Sequence, residues 1–319
     1  MRGPRLPLAR REHVVSAPAL RGPRFALAQG DEGFPSALAQ IARPPEMLYG
    51  VGDVAALQEG LAVIGARKAT PYGLSCARRF ARIAAERGIV IVSGGARGCD
   101  SAAHLAALEA GGRTVVFLGG GCDRLYPSEH ADLFQRIIDS GGAVVSEHSW
   151  ERPPRPYAFR ARNRLIAGLA RAVLIVEAGL PSGTFSTADE ALAAGKDVLA
   201  VPGAVSSSSS RGANRLIFDG ACPIVDDETF EDRLALLFDD LRHLGVAAVP
   251  LVPWAQDEVV TAAQAEPLTM ESLFLLARRM YGGSDAQVRS QLMSTLAEAE
   301  ATGALARGPD GRFGPCVGF

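Results

Sequence analysis

Six short apolar runs, each closed by a glycine or small polar residue and followed by a stretch of helical apolar spacing, constrain this chain most. They are LAVIGAR (61–67), IVIVSGGA (89–96), TVVFLGGG (114–121), AVVSEH (143–148), AVLIVEA (172–178) and DVLAVPG (197–203), with a shorter CPIV at 222–225. Between them, Gly73–Arg87, Ser101–Ala110, Ser128–Asp139, Arg164–Ala170 and Thr184–Ala194 carry apolar residues near a 3.6 period. Repeats of roughly 25 residues built this way are βα units. Runs apolar at consecutive positions belong to strands buried on both faces, hence to a parallel sheet covered by helices. The expected fold is α/β: a Rossmann-like parallel sheet with helices on both faces. Ligands of such sheets bind outside the carboxyl ends of the strands, near the topological switch point, where the small-residue motifs fall.

A length of 319 residues predicts about two domains. Residues 1–33 read as a flexible N-terminal arm, 34–240 as the extended Rossmann-like domain and 241–267 as a linker. One short helix, Pro35–Ala42, is stopped by Arg43-Pro44-Pro45. The serines at 206–210 read as a flexible loop. Residues 268–319 predict a winged-helix-like module: a helix Met270–Tyr281, Gly282-Gly283, a second helix capped by Ser284 and running to about Thr302, then a hairpin turning at Asp310-Gly311.

Composition excludes several classes. With 48% hydrophobic residues and a net charge of −2, the chain is not disordered. No window approaches the ~18 apolar residues of a membrane span. The opening MRGPRLPLARREHVV lacks the apolar core of a signal peptide, so the expected compartment is the cytoplasm, without membrane association. The odd set Cys76, Cys99, Cys122, Cys222 and Cys316 has no C-x-x-C pair, which argues against a disulfide framework and against a zinc site. Of 33 basic residues only Lys68 and Lys196 are lysine, and arginine grips phosphate bidentately. Seven basic residues stand against one acid from Gly65 to Arg97, and six against one from Glu151 to Arg171. Such clusters on a near-neutral chain predict a local anion-binding surface.

The motifs agree with that reading. Gly65-Ala66-Arg67-Lys68-Ala69-Thr70-Pro71 leads from the first strand into a helix, whose start offers unpaired N–H groups to an anion. It is neither G-x-G-x-x-G nor a Walker A loop, so no nucleotide cofactor is expected. Ser93-Gly94-Gly95-Ala96-Arg97-Gly98-Cys99-Asp100 closes the second strand; Asp100 is placed to cap the following helix, and His104 to pack or hydrogen-bond within it. Arg160, Arg162, Asn163 and Arg164, beside Tyr157 and Phe159, precede a predicted helix and mix cations with aromatics, which suits a nucleic-acid strand. Ser182-Gly183-Thr184 enters another helix. No G-x-S-x-G, H-E-x-x-H or metal-ligand cluster occurs, and Glu147-His148 reads as structural; no catalytic residue, metal or cofactor is expected.

Taken in order, these blocks resemble the DNA-processing protein A family (DprA, also called Smf). The residues carrying the resemblance are Val63–Arg67, Ser93–His104, Gly121 to Tyr126-Pro127, Arg162–Leu169, Ser182–Ala188, Ala200–Gly203 and Asn214–Ala221, across roughly 34–226. Ala66 stands where the family has serine, Gly95 and Cys99 where it has larger apolar residues, and Ser186 where it prefers an apolar one. The resemblance implies a Rossmann-like domain that binds single-stranded DNA, protects it during natural transformation and loads the recombinase RecA, without enzymatic activity. It puts the DNA site at Gly65, Arg67, Lys68, Ser93, Gly94, Arg97, Arg162, Asn163, Arg164, Ser182 and Gly183. It puts the homodimer and RecA-facing surface at Asn214, Ile217 and Phe218. Two alternatives share the fold: a lonely-guy-type phosphoribohydrolase using Ser182-Gly183-Thr184 with Glu190, and a nucleotide sensor with the C-terminal module as output.

Overall fold

A computed structural model describes residues 20–180, 183–238, 257–265, 267–301, 304–308 and 310–315. They fall into two compact units, divided between residues 244 and 245.

The first unit is a nine-stranded sheet wrapped by helices. Its elements in chain order are β1 (Arg24–Ala28), α1 (Ser36–Ala39), β2 (Met47–Gly52), β3 (Gly60–Gly65), α2 (Pro71–Glu86), β4 (Ile91–Gly94), α3 (Cys99–Glu109), β5 (Thr114–Phe117), α4 (Ala131–Asp139) and β6 (Ala143–Ser146). There follow α5 (Pro156–Leu169), β7 (Ala170–Glu177), α6 (Thr184–Ala193), β8 (Asp197–Ala200), α7 (Arg211–Phe218), β9 (Cys222–Pro223) and α8 (Asp227–Leu237). The strand order is β1-β2-β6-β5-β4-β3-β7-β8-β9. From β6 to β9 all neighbours are parallel, whereas β2 joins β6, and β1 joins β2, antiparallel. From β3 the chain winds one way through β4, β5 and β6, then returns to lay β7 on the other side of β3. The switch point is therefore the gap between the carboxyl ends of β3 and β7, where Gly65 pairs with Glu177.

Period-two alternation sorts the strand residues between two cores. Ala62, Ile64, Val92, Phe117, Val173 and Ile175 pack with α5 and α6 residues. Leu61, Val63, Ile91, Leu174 and Val176 pack with α2, α3 and α8 residues on the opposite face. The helices start where the sequence allows: Thr70 caps α2 through its hydroxyl, with Pro71 at the first helical position.

Several expectations change. The arm 1–33 contains β1, which pairs with β2 from Arg24↔Val51 to Ala28↔Met47, because Phe25 and Leu27 pack against the sheet's core. The helix Pro35–Ala42 shrinks to Ser36–Ala39. The helix expected from Arg164 begins at Pro156, two turns earlier. The serine run forms consecutive turns ending at the buried Ser210.

The second unit comprises α9 (Glu258–Ala265), α10 (Met270–Tyr281), α11 (Asp285–Ala301) and a hairpin of β10 (Leu305–Arg307) and β11 (Phe313–Pro315). Leu268 bridges to Phe313. This is the element order of a winged helix. α9 lies inside the expected linker, because Val259, Val260 and Ala263 bury themselves among Leu273, Val288, Leu292 and Leu296. Among the described residues no helix is long and apolar enough to cross a membrane.

Candidate nucleic-acid interface

At the switch point lies an open cleft of about 890 Å³. One wall is the β3–α2 turn, with Gly65, Ala66 and Arg67; Pro156, Tyr157, Arg160 and Asn163 of α5 and Gly183 and Thr184 of α6 complete it. A recess of about 230 Å³, lined by Lys68, Gly95, Arg97, Leu118, Tyr126 and Phe159 among others, adjoins it through Arg67 and Arg162.

The floor is set by close approaches. A Cβ at Gly65 would lie 2.4 Å from Cys99 Sγ, so the buried Cys99 side chain requires glycine at the end of β3. Gly98, not Asp100, is the N-cap of α3: it adopts φ +82°, and a Cβ there would stand 2.2 Å from the Ala66 carbonyl oxygen. Cys99 N–H donates to that same oxygen at 3.2 Å, joining the first two βα turns. At Gly94 a Cβ would meet both Arg162 Nη1 and Asp100 Oδ2 at 2.6 Å.

Arg162 is 5% exposed and donates to the Phe117 carbonyl; its Nε has no partner. Burial lowers its guanidinium to about 10, with Asp100 acting against that shift. Burial likewise pushes the Asp100 carboxyl up to about 6, against the pull of Arg162 and the Ala96 N–H. His104 is fully buried, 2.6 Å from Thr114 Oγ1 through Nδ1 and 3.0 Å from the Gly94 oxygen through Nε2; burial pushes it down to about 4. It is an internal brace, as its position one turn into α3 predicts.

Above this floor the cations are exposed. Arg67, Lys68 and Arg160 form no ion pair among the described residues. Arg67 lies over the Phe159 ring at 5.6 Å, and Phe159 packs against Tyr126 with ring centroids 5.3 Å apart. Tyr126 and Tyr157 are about half exposed, and Arg152 donates to the Tyr157 hydroxyl. Separate guanidinium and ammonium groups beside open aromatic faces can engage a chain of phosphates and stack its bases.

The predicted set is only partly gathered here. Gly65, Arg67, Lys68, Arg162, Asn163 and Gly183 line the cleft or its recess, and Gly94 holds the floor. Ser93 is fully buried and donates to the Val63 carbonyl, so its hydroxyl is not offered to a ligand. Arg97 is exposed but paired with Glu129 at 2.6 Å. Arg164 is corrected outright. It leaves the cleft, grips Glu147 through two bonds of 2.9 and 2.6 Å, and donates to the Arg43 carbonyl. On one helix, residues two apart diverge by about 200°, so Arg162 and Arg164 cannot share a face. Ser182 lies outside the described residues.

On α7, Asn214 clamps Gly203 through two backbone bonds, Ile217 packs partly against the core, and Phe218 is 80% exposed. Sequence reasoning missed Arg160 as a site residue. Pro156, Arg160 and Asn163 form an i, i+4, i+7 set, legible once α5 is started at Pro156. Glu177 was missed because it looks like the end of a core strand. Its carboxylate instead accepts from Thr70 N–H and Thr70 Oγ1–H, each at 2.8 Å. The Thr70 and Gly73 N–H groups at the start of α2 are therefore already engaged within the protein. Among the described residues no group of three His, Cys, Asp or Glu could hold a metal ion.

Fold and site define a Rossmann-like domain with a cationic, aromatic-walled cleft at its switch point. The chain belongs to the DNA recombination-mediator protein A family, whose model matches residues 25–235. It is 40% identical over 204 residues to protein Smf of Escherichia coli, covering 64% of this chain and 54% of that one. It is 48% identical over 160 residues to a putative DNA processing protein DprA of Mycobacterium tuberculosis, covering 50% of this chain and 41% of that one. The chain thus spans about half the length of these curated relatives. Among solved structures it resembles DNA processing protein A of Streptococcus pneumoniae (TM-score 0.59, 35% identity, 64% of this chain and 71% of that one). It also resembles the Helicobacter pylori protein, described for its single-stranded DNA binding mode (TM-score 0.61, 32% identity, 69% and 97%).

Proposed function

We propose that the switch-point cleft binds single-stranded DNA, and that the protein is a cytoplasmic recombination mediator that shields incoming strands during natural transformation and hands them to RecA. One observation carries this reading: Arg67, Lys68 and Arg160, unpaired among the described residues, line the cleft and its adjoining recess together with the rings of Tyr126, Tyr157 and Phe159. Phosphates meet the cations, and bases stack on the rings. Duplex DNA hides its base faces and cannot use the aromatic half of the site. The Helicobacter pylori relative, matched over 97% of its length, supports the same ligand. The self-association or RecA-facing surface falls on α7, where Phe218 stands out from the fold.

The phosphoribohydrolase alternative loses its carboxylate, because Glu190 is paired with Arg43 at 2.8 Å. The nucleotide-sensor alternative meets Glu177 at the start of α2.

The test is fluorescence anisotropy with a labelled single strand of about 30 nucleotides and its duplex at several salt concentrations. The expected result is a preference for the single strand, with log affinity falling by about 0.7 per log salt for each phosphate neutralised. Equal affinity for both forms, or affinity indifferent to salt, overturns the reading.

A further inference from the structure

In open α/β sheets, the default phosphate seat is the first helix start beside the switch point, where backbone N–H groups and the helix dipole favour an anion. In this chain that place is the start of α2, reached from Gly65 through Thr70. It is already taken. Glu177, the last residue of β7 and the partner of Gly65 across the switch point, turns its carboxylate onto it. Oε2 accepts the Thr70 N–H at 2.8 Å and Oε1 accepts the Thr70 hydroxyl at 2.8 Å, while that hydroxyl accepts the Gly73 N–H at 3.2 Å. The seat is also closed sterically. Glu177 is 2% exposed, and a single carbon added at Gly73 would lie 2.3 Å from Oε2. A carboxylate thus receives the main-chain and hydroxyl donors that a terminal phosphate would otherwise use.

We propose that Glu177 is a specificity-determining residue: a built-in anion that fills the phosphate seat at the start of α2, beside the cleft's Arg67 wall, and so denies that seat to nucleoside mono- and diphosphates. The cations left to a ligand are those of the outer wall, Arg67, Lys68 and Arg160, which are separate groups on two different elements. A polymer with a phosphate on each residue can meet them one by one, without the seat at α2. Discrimination against free nucleotides then comes from denying them the seat, not from better contacts to the strand. The inference rests on the strand-binding reading above.

The experiment titrates the full chain and its Glu177→Ala and Glu177→Gln variants with inorganic phosphate and with ADP, by calorimetry and thermal shift, against chloride at matched ionic strength. The wild type is expected to show no saturable binding of either. Removing the charge is expected to tighten phosphate binding on the order of a hundredfold, since two anions no longer meet at contact distance. The Ala variant opens the seat, and the Gln variant keeps its shape if the Ala variant fails to fold. Two results overturn the proposal: saturable phosphate or ADP binding by the wild type with the affinity of the variants, or variants that lose melting temperature without gaining phosphate affinity. The second outcome would make Glu177 a structural cap only. Anisotropy of the wild type with the labelled strand, in the same buffer, reports separately on the strand-binding reading. Its failure there leaves the phosphate result to stand or fall alone.

Discussion

Arg162 and Asp100 come from different elements, α5 and α3, and flank the same face of Gly94, where a single carbon atom would lie 2.6 Å from each. Both are buried, and the arginine's Nη1 is anchored on the Phe117 carbonyl. The cleft floor therefore sets two buried ionisable side chains around a position that has room for neither a methyl group nor anything larger.

Gly94→Ala is the direct probe of that arrangement. Inserting a methyl group into this packed contact is expected to cost about 1–3 kcal/mol. Urea unfolding should show a lower midpoint with an unchanged slope. Stability equal to wild type would mean that the two side chains shift aside freely and do not define the floor.

Two buried groups pull the acid limb of stability in opposite directions. The Asp100 carboxyl, raised to about 6, gains its proton in the folded state first, so its contribution is full below the ordinary carboxylate range and is lost as pH rises through about 6. His104, lowered to about 4, resists protonation in the fold; its contribution is full above the ordinary imidazole value and is lost as pH falls through about 4. Each shift corresponds to roughly 3 kcal/mol, so the two largely cancel in between. Asp100→Asn removes one side of the balance. Its stability should then fall more steeply than that of the wild type on acidification from about pH 6 to about pH 4. Parallel profiles for the two proteins would refute the opposition.

Arg164 and Arg67 predict opposite phenotypes. Arg164→Ala leaves Glu147, whose side chain is 16% exposed, without its bidentate partner and should destabilise the fold by about 1–3 kcal/mol. Arg67→Ala should leave stability within about 0.5 kcal/mol and lower the salt slope of strand binding by about 0.7. Denaturation and anisotropy on both variants decide the matter; interchanged phenotypes would return Arg164 to the cleft.

On α7, Phe218 offers a cleaner test of self-association than Ile217, because Ile217 also packs against the core while Phe218 is 80% exposed. Phe218→Asp should leave thermal stability nearly unchanged and shift sedimentation toward the monomer. Retention of the wild-type oligomer would place the interface elsewhere.

Much of the sheet was legible because its strands are apolar runs ended by Gly65, Gly94 and Gly119, a pattern few other folds produce. The first two turns of α5 were not. Its buried stripe runs Ala158, Arg162, Ile166, and an arginine at the middle position breaks the apolar period that marks a helix. The same arginine explains the misplacement of Arg164: spacing along the sequence shows charge, whereas only the helix phase shows direction. β1 was hidden because a five-residue edge strand carries little hydrophobic signal. Glu177 was hidden because its partner, Thr70, is 107 residues away in the chain.

The bond from the Cys99 N–H to the Ala66 carbonyl, with Gly98 pressed against the same oxygen, fastens the second βα turn to the first. Displacing the Arg67 turn without the start of α3 therefore costs this bond. On this wall of the cleft, a ligand meets a braced surface, so less ordering entropy of association falls there on the protein. If the cleft takes a flexible strand, that wall acts as a die and the strand takes the impression.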